Sequence, residues 1–181
     1  ISINIPQTKN GNAWTKGGFS TLMSYPGEWA IIDATGLTST AAETNDAVIY
    51  GYKGFDTGSD SKYTEYWKFS NFELLGGGSG VHMKMRHVKW YYMYIHNNGR
   101  AGGIQLQSGI LSVNPQYSEI KYSYFKDNID SSNPNFNMVH ILFDGDYRDE
   151  SPLNGESFLE NGSTHSNEIA YNYFEQTGSN K

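Results

Sequence analysis

A chain of 181 residues is long enough for one sizeable core, and its net charge of −6 leaves no basic footprint for nucleic acid. The absence of cysteine rules out a disulfide framework and thiolate chemistry, and no apolar run approaches membrane-spanning length. Aromatics at 15%, with 14 Tyr and 20 Gly, favour strands and turns over helices, so the expected class is all-β.

The chain opens at "ISINIPQ", with neither a start methionine nor a signal peptide, which reads as a processed protein or a piece of a longer one. Residues 1–28 are expected to form an N-terminal segment, with coils over 29–181 in a single domain. The best window for a helix, "TSTAAETNDA", is short and weakly apolar. From "WKFSNFELLGGG" onward one pattern returns, with Phe69, Asn71, Glu73 and Leu74 as its first, degenerate copy. "VKWYYMYIHNNG" places Trp90, Tyr92, Tyr94 and Ile95 at the same offsets. "SEIKYSYFKDN" places Ile120, Tyr122, Tyr124 and Phe125 there, and "NEIAYNYFEQTG" places Ile169, Tyr171, Tyr173 and Phe174. A second strand type alternates with these copies: "GVHMKMRH", "GGIQLQSG" and "MVHILFDG". It aligns Val81 with Ile104 and Val139, and Met83 with Leu106 and Ile141.

Two strand types repeating together at uneven intervals describe a solenoid, in which equivalent residues stack about 4.8 Å apart in successive coils. The uneven intervals are then corner insertions, expected at 109–118, 129–137 and 145–166. "GGGSG" at Gly76–Gly80 joins two strands with no helix after it, so it reads as a corner rather than a phosphate loop. The last regular strand is followed only by "EQTGSNK", too polar for a cap. A stacked edge left open there predicts further coils, or another chain, on the C-terminal side of an incomplete helix.

"TLMSYPGEWAIIDATGL" resembles the first coil of right-handed parallel β-helix proteins, and the stretch from "DAVIYGYKG" to "GGIQLQSG" is similar to their core coils. The resemblance is to the pectate-lyase-like, polysaccharide-lyase type and spans roughly residues 20–178. It implies a right-handed parallel β-helix, secretion or cell-surface display, and action on a polysaccharide. Those families use calcium-binding aspartates with a Lys or Arg base, and no such motif aligns here residue by residue. Hydrolases, epimerases and tailspikes share the fold, so fold does not fix activity.

Positions alternating with the core residues of the second strand type are expected to point outward. They make three ladders: His82–Gln105–His140, Lys84–Gln107–Leu142 and Arg86–Gly109–Asp144. Such a face suits an acidic sugar chain, although a solvated sheet face carries similar residues. β-Elimination on a uronic acid chain needs the carboxylate neutralised and a base within reach of the adjacent C–H proton. Arg86 and Lys84 are candidate neutralisers, and His82, His140 and Lys84 are candidate bases. Gln105, Gln107, Arg100 and the column Tyr94, Tyr124 and Tyr173 complete the substrate-binding candidates, with the plain stabilising role of aromatic columns kept beside that reading. "DGDYRDES" gathers Asp144, Asp146, Asp149 and Glu150, the oxygen-rich chemistry that calcium requires, against the simpler reading of a solvated acidic loop. A hydrolase needs two carboxyls about 5 to 9 Å apart. Asp144 and Asp146 with Glu73 or Asp127 offer no pairing that stands out. Two functions follow: a lyase for an acidic polysaccharide, or a non-catalytic glycan-binding β-helix such as an adhesin, a tailspike-like piece or a scaffold segment.

Overall fold

The computed structural model describes residues 3–4, 18–36, 47–51, 63–98, 108–128, 139–144 and 164–177. Its strands in chain order begin with β1 (Ile3–Asn4), β2 (Ser20–Met23), β3 (Ala30–Asp33), β4 (Ala47–Gly51) and β5 (Thr64–Glu65). There follow β6 (Trp67–Ser70), β7 (Phe72–Leu75), β8 (Ser79–Arg86), β9 (Lys89–Tyr91), β10 (Tyr94–His96) and β11 (Ser108–Gln116). The last are β12 (Glu119–Lys121), β13 (Tyr124–Lys126), β14 (Val139–Asp144), β15 (Glu168–Ala170) and β16 (Tyr173–Glu175). No helix occurs among the described residues.

Each circuit of the chain visits three sheets in turn. The first contains β1, β4, β8, β11 and β14 in that order, with β5 also pairing with β8. The second runs β2, β6, β9, β12, β15, and the third β3, β7, β10, β13, β16. Neighbouring strands are parallel throughout. The molecule is therefore an all-β, right-handed parallel β-helix. The expected column Phe69, Trp90, Ile120 and Ile169 is in register, and Leu22 continues it below. In the third sheet Ile32, Leu74, Ile95, Phe125 and Phe174 align likewise. Trp90 lies flat on Phe69, with ring centroids 4.0 Å apart.

The first sheet differs from the expected register. Val81 pairs with Ile110, and Ile110 with Ile141, rather than with Ile104 and Val139. Residues 108–116, placed by the sequence largely in a corner insertion at 109–118, are strand β11. The physical reason is periodicity: shifts by an even number of residues leave the same side chains facing inward, so alternation cannot choose among them. The corners choose. β8 reaches β9 through His87–Val88, and β11 reaches β12 through Tyr117–Ser118, so equal corners set Gln116 opposite Arg86, and a one-residue bulge between Val113 and Gln116 then brings Ile110 opposite Val81. The coils also begin earlier than residue 29, since β2 pairs with β6, and Ile3–Asn4 pair with β4.

The corners are built on left-handed residues. Tyr66, His87, Tyr117 and Ser166 turn the chain from the first sheet to the second. Asn71, Tyr92, Tyr122 and Tyr171 turn it from the second to the third, and Asn97 and Asp127 back to the first, all with φ between 48 and 60°. That conformation costs a bulky residue about 1–2 kcal/mol. Stacking offsets it, because every coil turns at the same place. Backbone bonds continue through the corner, as from Tyr92 N–H to the Lys121 carbonyl at 3.2 Å. The next residue's N–H then bonds to a side chain of the following coil: Val88 to Ser118, Met93 to Ser123, Asn98 to Asn128 and Ser123 to Asn172.

Candidate functional site

Along β8 two sets of side chains alternate. Val81, Met83 and Met85 enter the core, so His82, Lys84 and Arg86 lie on the other face. The sequence reading made that face an open groove, and here it needs correction. His82 is 5% exposed and Lys84 only 1%. Tyr50 meets His82 edge-on, and the cover over Lys84 is Tyr63, just ahead of β5. Its ring lies 4.8 Å from the Lys84 ammonium and 4.6 Å from the Arg86 guanidinium, and its hydroxyl accepts from Gln116 Nε2 at 3.1 Å. β5 pairs with the far end of β8, matching Glu65 to Arg86, and the Glu65 carboxylate binds the Arg86 Nε–H. Of the expected cationic set, the structure thus joins Lys84 and Arg86 at one aromatic ring. Arg86 keeps part of its side chain in solvent.

The two histidines are not on one ladder. His82 has Tyr50 beside it in one coil and Leu111 in the other, with Leu142 beyond. Burial holds its imidazole down at about 4, so it is neutral at neutral pH. His140 instead continues the row of Gly80 and Gly109, whose positions face the corner between the third and first sheets. A Cβ on Gly109 would come 2.6 Å from the His140 carbonyl, so that row runs backbone against backbone. The His140 ring lies between Phe125 and Phe174, its Nδ1 accepts from Asn128 Nδ2 at 3.2 Å, and burial lowers its pKa. The remaining ladders change too: Lys84 stands opposite Val113 and then Asp144, and Arg86 opposite Gln116.

Gln105, Gln107, Arg100, Asp146, Asp149 and Glu150 lie outside the described residues, and Asp144 ends β14. Among the described residues no group of three or more His, Asp or Glu side chains gathers as a metal site. Of the carboxylates named for a hydrolytic pair, Glu73 and Asp127 are otherwise engaged. Glu73 binds His96 Nε2 at 2.7 Å and Trp29 Nε1 at 3.1 Å, and Asp127 binds Thr177.

The tyrosines form two columns, both reaching the surface. Tyr92, Tyr122 and Tyr171 stack face to face with centroids 5.1 and 5.2 Å apart. Tyr94 and Tyr124 stack at 4.9 Å, and Tyr173 meets Tyr124 edge-on at 5.1 Å. Between the columns runs a groove of about 470 Å³, floored by Met93 and Ser123, with Trp29 also in its wall. Tyr124 donates its hydroxyl to Glu175, which raises the tyrosine pKa and lowers that of the carboxylate. On the second sheet Glu119 accepts from Tyr91 and pairs with Lys89 and Lys121. Burial works to raise the Glu119 pKa, but those donors outweigh it and hold the group at about 2.

Sequence reasoning missed Tyr63, Glu65 and Trp29, because each acts from a segment outside the repeats it aligned. It also missed the buried asparagine ladder of Asn98 and Asn128, for which a signal exists. "IHNN" and "FKDN" each end in Asn three residues after the core Ile95 or Phe125.

Strand order, register and corners together define the class: a parallel β-helix with a cationic strand on one side and an aromatic groove on another. Among curated proteins, a 104-residue stretch is 32% identical to pectate lyase PEL9 of Emericella nidulans, covering 58% of this chain and 24% of the relative. The chain thus spans about a quarter of the length of the curated relative it matches. No family model matches, and no solved structure matches significantly.

Proposed function

We propose that the protein acts on an acidic polysaccharide outside the cell, by β-elimination at a uronic acid unit. One observation carries this reading: Lys84 and Arg86 converge on Tyr63 on the outer face of the longest sheet, in a chain similar over 104 residues to a pectate lyase. Elimination removes the proton beside the carboxylate and breaks the C–O bond one carbon further on. An unsaturated uronate remains on one fragment, and the other leaves as an alcohol. The carbanionic charge builds on the carboxylate, so a cation there lowers the barrier. Arg86 suits that task, since its planar fork can bind a carboxylate in two places and part of it reaches solvent. The sugar carboxylate would take over the fork that Glu65 now holds, with Lys84 supporting the charge from behind. Calcium held by Asp144, Asp146, Asp149 and Glu150 would supply further neutralising charge.

The test is product absorbance from unsaturated uronates on pectate, alginate and glycosaminoglycans, with and without chelator. Wild type is expected to generate it on one of these, and Arg86→Ala to lower turnover at least about a hundredfold. Loss on chelation would support the calcium site. No unsaturated product on any substrate would favour the second reading, a non-catalytic glycan-binding β-helix serving as an adhesin, tailspike-like piece or scaffold. The near-complete burial of His82 and Lys84 favours that second reading.

A further inference from the structure

The groove between the tyrosine columns has a chemistry unlike that of the cationic strand. None of the side chains lining it carries a formal charge at neutral pH. The carboxylates that bond to its lining residues are already engaged, Glu73 with Trp29 and His96, and Glu175 with Tyr124 and Lys126. An acidic chain therefore finds no Coulombic attraction there. The rings of the corner column cover one another, so Tyr122 offers solvent only its edge and its hydroxyl. Among the described residues no group takes the hydroxyls of Tyr92, Tyr122 or Tyr171. They form a ladder of donors about 5 Å apart, following the coil spacing. An open ring face is supplied by Trp29, which is 48% exposed with no described aromatic ring against it.

We propose that this groove binds an uncharged stretch of polysaccharide lengthwise, parallel to the helix axis and apart from Arg86. Regularly repeating donors match a ligand that itself repeats, which points to a polymer rather than a single small molecule. Ring edges, hydroxyls and the open Trp29 face suit sugars, whose rings carry an apolar face and a polar rim. Its volume lies within the range of small-ligand sites, enough for a few sugar rings. The inference rests on the reading that the ligand is a polysaccharide, but not on catalysis.

The corner itself suggests the variants. Asn71 holds the same left-handed position one coil below Tyr92, so asparagine is tolerated there without backbone strain. The double variant Tyr92→Asn/Tyr122→Asn, the variant Trp29→Ala, Arg86→Ala and wild type would be compared by affinity electrophoresis. The gels would contain methyl-esterified pectin, β-glucan, mannan or unesterified pectate, at low salt and at high salt. Wild type is expected to be retarded by an uncharged polymer equally at both salt levels, because screening acts only on charge. The double variant should bind that polymer about tenfold more weakly, the equivalent of two lost hydrogen bonds. Trp29→Ala should weaken it as well, and Arg86→Ala should not. Thermal melting checks that each variant is folded. No retardation of wild type by any uncharged polymer, or unchanged retardation of a folded double variant, would overturn the proposal. So would binding of a polyproline peptide in place of the glycans, since aromatic grooves also take such peptides. Loss of elimination activity in Arg86→Ala bears only on the proposed reaction and leaves the groove result to stand separately.

Discussion

His82 shows how much a single side chain owes to its row. Leu111 and Leu142 fill the same row in the next two coils, and the imidazole takes its place among apolar neighbours in the neutral form. Its pKa of about 4 lies below the ordinary 6.5, so between those values the unfolded chain binds more protons. The stabilisation is complete above 6.5 and is lost as the pH falls towards 4, by roughly 3 kcal/mol at most. His87 and His140 shift in the same direction, which steepens the loss. His82→Leu should therefore shrink the fall in urea midpoint between pH 7.5 and 4.5 by an amount corresponding to about 2 kcal/mol. An undiminished fall would show that His82 does not carry the effect. The alternation of His82, Lys84 and Arg86 with core residues was legible in the sequence. The burial of His82 and Lys84 was not, since Tyr50 and Tyr63 arrive from other parts of the chain.

At the level of strands and corners, the molecule relies on side chains to complete a backbone ladder that turning interrupts. Asn128 carries most in this respect. Its Oδ1 accepts from the Asn98 N–H at 3.3 Å and from Asn98 Nδ2 at 3.0 Å, and its Nδ2 donates to the Ile95 carbonyl at 2.7 Å. All of this is buried, so Asn128→Ala leaves several groups without partners and should cost about 2–4 kcal/mol. Asn172 bonds the Ile120 carbonyl in the same way at the neighbouring corner, but in the last described coil and closer to solvent. Asn172→Ala should cost about 1 kcal/mol. Chemical denaturation of the two variants checks the contrast, and equal costs would contradict the ladder's dependence on burial. The tyrosine-bearing strands aligned correctly from sequence because three aromatic or apolar positions recur at fixed offsets. The strands of the first sheet slipped because "GGIQLQSG" and "SGILSVNPQ" offer the same alternation. The corner at Tyr117, together with the bulge between Val113 and Gln116, chooses the second.

For the molecule as a whole, stability grows by stacking, each coil burying the one before it. Ile120 is fully buried with Trp90 below and Ile169 above, whereas Ile169, in the last described coil, is 46% exposed. Ile120→Ala should cost the 181-residue chain about 2–5 kcal/mol, and Ile169→Ala less than about 1.5. Thermal or urea unfolding of the pair measures the difference, and comparable losses would mean that a further layer covers Ile169 in solution. The all-β class, the solenoid and the inward columns from Phe69 to Ile169 and from Leu74 to Phe174 follow from the chain's own periodicity. Parallel stacking places like on like, so a repeat in sequence is already a contact in space. Which cations meet, which histidine is buried and where the groove opens depend on distant segments laid against those columns. Tyr63 covers β8, Trp29 joins the tyrosine groove and Glu65 holds Arg86. No spacing rule links them to their partners, because they come together only when the coils are wound.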